Sequence, residues 1–95
     1  MASYKLTDEA EEDLNRIWRH GLLHHGEAQA DKYYFDFILR FEKIAENPYL
    51  YPSVDDIREG YRRSVCGVDH IYYRIVDGTV EIMAILGQQD TEGWL

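Results

Sequence analysis

The spacing of apolar positions changes period twice along the chain. "SYKL" near the start alternates, Tyr4 and Leu6 against Ser3 and Lys5, which predicts a short edge strand. From "LTDEAEEDLNRIW" onward the period is helical, with Ala10, Leu14, Ile17 and Trp18 on one stripe. Thr7 stands where a side-chain oxygen caps free N–H groups, and Asp8 and Glu9 sit where the helix dipole favours negative charge. "HHG" at His24 to Gly26 breaks the pattern. A second helix is predicted from about Glu27 to Glu46, with Ala30, Tyr34, Phe37, Ile38, Phe41, Ile44 and Ala45 on a wide apolar face and Tyr33 on its flank. Asn47-Pro48 ends it, because the residue before proline avoids helical geometry and Pro48 has no N–H. Two helices joined so briefly form an antiparallel hairpin.

After the polar connector "PYLYPSVDDIREG" the period becomes two, in "YRRSVC", "DHIYYRIV" and "TVEIMAIL". Asp77-Gly78 between the last two is a two-residue hairpin signal. That turn sets the register: Val76 faces Thr79, Ile75 faces Val80, Arg74 faces Glu81, Tyr73 faces Ile82 and Tyr72 faces Met83. Ile71, Tyr73, Ile75, Val80, Ile82 and Ala84 then share the face that the helices cover. His70, Tyr72, Arg74, Glu81, Met83 and Ile85 fall on the other, a face too apolar to be left to water without a reason. The order is strand, helix, helix, strand, strand, strand, an α+β chain read as one domain over 1–95.

Composition narrows the partners. With 95 residues and 45% hydrophobic content there is material for one small domain of marginal core, which self-association or a partner would help. No apolar run approaches the roughly 20 residues that cross a bilayer. "MASYKLTDEAEED" lacks the layout of a secretory signal, and a lone cysteine, Cys66, fits a reducing cytoplasm. The net charge of −8 suits protein partners and is a poor match to direct nucleic-acid binding.

Five stretches in order, "YKLTDEAEEDLNRIW", "GEAQADKYY", "AENPYLYP", "DIREGYRRSV" and "HIYYRIVDGTVEIMAIL", give the chain a resemblance to ParE-type toxins of the ParE/RelE superfamily. The resemblance implies a helical hairpin packed on a small twisted antiparallel sheet. It also implies a ParD-like antitoxin whose disordered tail folds on binding and wraps the toxin. ParE-type members poison DNA gyrase, whereas RelE-type members cut messenger RNA in the ribosome.

Cutting RNA at the 2′-hydroxyl requires proton removal, protonation of the leaving oxygen, and cations for the developing charge. RelE-like ribonucleases supply these from Lys and Arg on the sheet and a Tyr or His after the last strand. Here the lysines are Lys5, Lys32 and Lys43, none of them predicted in the last three strands, and the tail "GQQDTEGWL" offers Gly87, Gln88 and Gln89. Many relatives carry a His or Arg there. His70 and Tyr72 remain beside Arg62, Arg63 and Arg74, but Arg74 opposite Glu81 reads as a cross-strand pair. No catalytic residue is therefore assigned, and the expectation is a toxin that acts on gyrase by occupancy. The alternatives are a ribosome-dependent endoribonuclease or an inactive toxin serving in autoregulation with its antitoxin.

For the antitoxin surface the candidates are Trp18, Leu22, Tyr33 and Phe37 on the hairpin and Arg62, Arg63, Tyr72 and Arg74 on the sheet, the arginines as carboxylate anchors. Trp94 and Leu95 in the tail are the candidates for gyrase binding or a toxin–toxin contact, since an unheld Trp favours an interface. "RHGLLHHG" places His20 and His24 at helical spacing with His25 adjacent, yet Gly21 follows where a zinc peptidase carries Glu, and no ligand cluster completes a site. Neither metal nor cofactor is expected.

Overall fold

The computed structural model describes residues 3–87. Its elements are β1 (Tyr4–Leu6), α1 (Asp8–His25), α2 (Glu27–Glu46), β2 (Arg62–Cys66), β3 (Asp69–Val76) and β4 (Thr79–Gly87), in the expected order. The strands lie β1-β4-β3-β2 in one sheet, and both helices cover one face of it. β2, β3 and β4 are antiparallel, while β1 runs parallel to β4, pairing Tyr4 with Val80 and Leu6 with Ile82, so the sheet is mixed at that edge.

Thr7 joins the first strand to the first helix. Its Oγ1 accepts from the Ala10 N–H at 3.1 Å, the capping bond the sequence suggests, and lies 3.2 and 3.1 Å from the Ile82 and Met83 carbonyls. Beyond Leu6 the edge of β4 has no strand beside it among the described residues, and α1 supplies side chains instead. Asp13 Oδ2 accepts from the Ile85 N–H at 3.0 Å, and Arg16 donates to the Ile85 carbonyl at 3.2 Å. Burial raises the Asp13 carboxyl above the usual range, opposed by the Ile85 N–H and by Arg16. Gly26, at φ 88°, separates the helices in a conformation that glycine adopts at little cost.

The main core gathers Ala10, Leu14 and Ile17 of α1, Phe37, Phe41 and Ile44 of α2, and Ile71, Tyr73, Val80, Ile82 and Ile85 of the sheet. The predicted register holds from Val76/Thr79 to Tyr73/Ile82 and then slips: Tyr72 pairs with Ala84, and Met83 is the extra residue. Because side chains alternate with period two, this bulge exchanges the faces of the β4 residues beyond it. Ile85 joins the core beneath the helices, and Ala84 moves to the opposite face, where its small side chain faces the Tyr72 ring.

That opposite face is covered too. The connector folds back across it, placing Val54 and Tyr61 on Tyr72, Ala84 and Leu86, with Ile57 and Met83 at the margin. The connector is anchored by the Val54 N–H to the Tyr61 carbonyl at 2.8 Å and by a bridge from Ser53 to Arg62. A stretch that reads as a polar link is a second, smaller core's lid. No helix among the described residues is long and apolar enough to cross a membrane.

Candidate functional site

The eight candidates for the antitoxin surface fall at two ends of the molecule. Trp18 and Tyr33 are on the helical layer, Tyr33 reaching the β2–β3 turn; Arg62 and Arg74 lie toward the β3–β4 hairpin end. Trp18 is half-buried, and its indole N–H donates to Asp31 Oδ1 at 2.9 Å, tying α1 to α2. Leu22 is exposed on α1 and Leu23 more so, at 38% and 83%.

Two candidates are not surface residues. Phe37 is wholly buried, meeting Tyr33 edge-on with ring centroids 4.8 Å apart, because its helical position points at the sheet. Tyr72 is also wholly buried, because the connector lies over the face from which it projects. Neither is available to a partner in this fold.

Tyr33 is a fastening point. Its hydroxyl lies 2.9 Å from both the Cys66 carbonyl and Asp69 Oδ2 and receives the Val68 N–H at 3.3 Å. Burial, then the Asp69 carboxylate, pushes the phenol far above the tyrosine range, so it holds its proton. Tyr73 is likewise pushed up to about 12 by burial, donating to the Pro48 carbonyl at 2.6 Å.

The arginines of the sheet have internal partners. Arg74 Nε meets Glu81 Oε1 at 2.7 Å, the pair read from the hairpin register, and Lys5 Nζ meets Glu81 Oε2 at 3.1 Å from the β1 side. Their hydrogen bonds, Arg74's first, hold the Glu81 carboxyl below the usual glutamate range. Arg62 donates to the Tyr51 carbonyl at 2.7 Å and lies over the Tyr49 ring at 5.0 Å. Arg40, which the sequence did not single out, donates to Ser64 Oγ and to the Val65 carbonyl on the free side of β2. Arg63 is half-buried opposite Tyr72. Together with burial, its charge lowers the pKa of nearby His70, whose Nδ1 is enclosed without a partner among the described residues.

Between the C-terminal half of α1, the start of α2 and the β2–β3 turn lies a groove of about 510 Å³, lined by residues including Ile17, His20, Ala30, Tyr33, Val68 and Asp69. Val68, 81% exposed, stands at its rim. His20 and His24 bring their rings to 4.3 Å centroid separation, but no group of three or more His, Cys, Asp or Glu among the described residues could hold a metal. Burial raises the Cys66 thiol pKa, which favours the protonated form. Trp94 and Leu95, with Gln88 and Gln89, lie outside the described residues.

Phe35 and Leu39, absent from the sequence-derived candidates, are 64% and 56% exposed on α2. Their signal was present: one helical turn apart, they lie opposite the Phe37 stripe.

Comparison with known proteins agrees with this geometry. The pattern of the ParE toxin of type II toxin-antitoxin system, parDE, matches residues 4–91. Toxin ParE1 of Caulobacter vibrioides is 35% identical over 88 residues, 93% of this chain and 91% of that protein. Toxin ParE1 of Mycobacterium tuberculosis is 30% identical over 87 residues, 90% and 89% of the two. In fold, the chain is similar to a structure of the chromosomal ParDE system of P. aeruginosa, with TM-score 0.79 and 22% identity over 92% of this chain and 96% of that one. It is similar to the toxin–antitoxin complex RelBE2 of M. tuberculosis with TM-score 0.60 and 19% identity over 92% and 98%. A helical hairpin on a four-stranded sheet and a match spanning nearly all the chain lead to one conclusion: this protein belongs to the ParE toxin family of type II toxin–antitoxin systems.

Proposed function

We propose that the protein inhibits DNA gyrase by binding it, and that a ParD-like antitoxin neutralises it by covering its surface. The observation that carries the first part is where the cations go. Arg74 and Lys5 are spent on Glu81, Arg62 on the Tyr51 carbonyl, Arg40 on Ser64 and Val65, and Arg16 on Ile85 and Asp13. A phosphorane would have to compete with these partners for charge. The phenols of Tyr33 and Tyr73 hold their protons too tightly to serve as bases near neutrality. Such a sheet supports inhibition by fit, in which the toxin binds one gyrase state better than another and shifts its population.

For the antitoxin, the groove beside Tyr33 supports an apolar segment, with Val68 at its rim and Leu22 next in the chain to the lining residue Gly21. Trp18 stays a candidate for contacts near the groove, Arg62, Arg63 and Arg74 for separate antitoxin contacts on the sheet, and Trp94 and Leu95 for gyrase.

One observation favours a second reading, messenger RNA cleavage. His70 stands near the Arg63 cation with its Nδ1 enclosed and without a partner among the described residues, and burial and that charge lower its pKa, which favours the neutral imidazole. A paired assay separates the two. Purified protein is incubated with gyrase, ATP and supercoiled plasmid, and in parallel with translating ribosomes and a reporter transcript. Trapped double-strand breaks with intact transcript are expected. Cut transcript with unaffected gyrase, abolished by His70→Ala, overturns the proposal.

A further inference from the structure

The outer face of α2 carries a pattern that the main core does not use. Ala28, Lys32, Phe35, Leu39, Glu42 and Glu46 recur at alternating steps of four and three, the spacing of a coiled-coil seam, and all six are exposed. The seam lies directly opposite Ala30, Phe37 and Ile44, which the helix buries against the rest of the protein. Its centre is apolar, with Phe35 at 64% and Leu39 at 56% exposure, and its flanks are charged.

We propose that this face is a homodimer interface, formed with α2 of a second copy running antiparallel. The charges decide the orientation. In an antiparallel pair with Phe35 facing the partner's Leu39, the same two-fold axis sets Lys32 against the partner's Glu42 on both sides, and Ala28 against the partner's Glu46. In an in-register parallel pair Lys32 meets Lys32, Glu42 meets Glu42 and Glu46 meets Glu46, so like charges repel at the three charged layers. Register and charge therefore agree in one arrangement, which is isologous and closes at two copies. Within its own chain Lys32 meets Asp36 at 3.6 Å between two exposed side chains, a contact of little strength that leaves the ammonium able to serve a second carboxylate. Apart from Lys32, which borders both, the surface is separate from the groove beside Tyr33, so a dimer and a bound antitoxin segment are compatible. The inference does not depend on the target of the toxin.

Sedimentation equilibrium of the full chain across its soluble concentration range is the test. The wild type is expected to show a monomer–dimer equilibrium. Phe35→Asp and Leu39→Asp should abolish it, and Lys32→Glu or Glu42→Lys alone should weaken it by at least about tenfold, since each change acts twice across the axis. The double reversal, Lys32→Glu with Glu42→Lys, should restore association. Those two positions are about 15 Å apart along one helix and cannot touch within a chain, so rescue must act between copies. All are exposed positions, and unchanged far-UV circular dichroism verifies the fold. A wild type that stays monomeric, a dimer indifferent to these variants, or single reversals that the double does not rescue overturns the proposal. A monomeric toxin whose antitoxin affinity falls with Phe35→Asp assigns the face to the antitoxin and overturns it equally.

Discussion

Replacing Gly67 with alanine tests the fastening of the β2–β3 turn. Gly67 sits at φ 60°, and a Cβ there would lie 2.5 Å from the Tyr33 hydroxyl, 2.7 Å from its Cε1 and 2.9 Å from its Cζ. The left-handed backbone costs an alanine about 1–2 kcal/mol. The ring must also move, which releases the hydroxyl from the Cys66 carbonyl and from the carboxylate of buried Asp69, about 1–3 kcal/mol more. The expected loss is thus about 2–5 kcal/mol, read from urea unfolding midpoints at constant slope. Gly78 provides the control: its φ is 77° and nothing lies within 4 Å of an added Cβ, so Gly78→Ala carries the backbone cost alone. A second control is Gly67→Ala in a Tyr33→Ala background, where the clash is gone and the cost should fall to that of Gly78→Ala. If Gly67→Ala is no worse than Gly78→Ala, or costs the same with and without Tyr33, the fastening argument is wrong.

Three further contacts give measurable outcomes. Glu81 has its carboxyl pKa lowered by Arg74 and Lys5, so its stabilising contribution is present above the ordinary glutamate pKa and is lost as pH falls through the lowered value. The stability gap between wild type and Glu81→Gln should accordingly shrink on acidification; a gap that widens refutes the assignment. Asp13→Ala strips the Ile85 N–H of its acceptor and should cost about 1–3 kcal/mol, with Asp13→Asn recovering part of it by offering a side-chain carbonyl, both measurable by thermal unfolding. Phe37→Ala should cost about 3–5 kcal/mol, as expected of a wholly buried ring, whereas Arg74→Ala should change stability far less; equal effects would mean Phe37 is not in the core.

Local patterns carried most of the fold. Thr7 as cap, Gly26 as break, Asn47-Pro48 as stop and Asp77-Gly78 as turn each act over a few residues, and each stands where its chemistry predicts. What the chain's order hid is tertiary. The slip at Met83 needs knowledge that Ile85 finds a place under the helices and that Ala84 leaves room opposite Tyr72. The connector's role as a lid rests on Val54, Ile57 and Tyr61, whose steps of three and four would mark one face of a helix that this stretch does not form. The same blindness misplaced Tyr72, exposed on a bare sheet and enclosed once the lid is on. Phe37 was misjudged for a different reason: its spacing belongs equally to a core stripe and a docking stripe, and only the partner surface distinguishes them.

The junction at Thr7 has a bearing on how the chain comes off the ribosome. Thr7 and Met83, which bond to one another, are 76 positions apart, and among the described residues β1 pairs with β4 alone. The strand that precedes both helices therefore waits for the one made after all the others, and the Asp13 and Arg16 side chains wait with it. Loop closure across such a span is slow, and the nascent chain holds its edge unsealed until β4 has emerged. A polypeptide released before that point would lack the strand on which β1 depends, so maturation of the toxin is coupled to completion of its sheet.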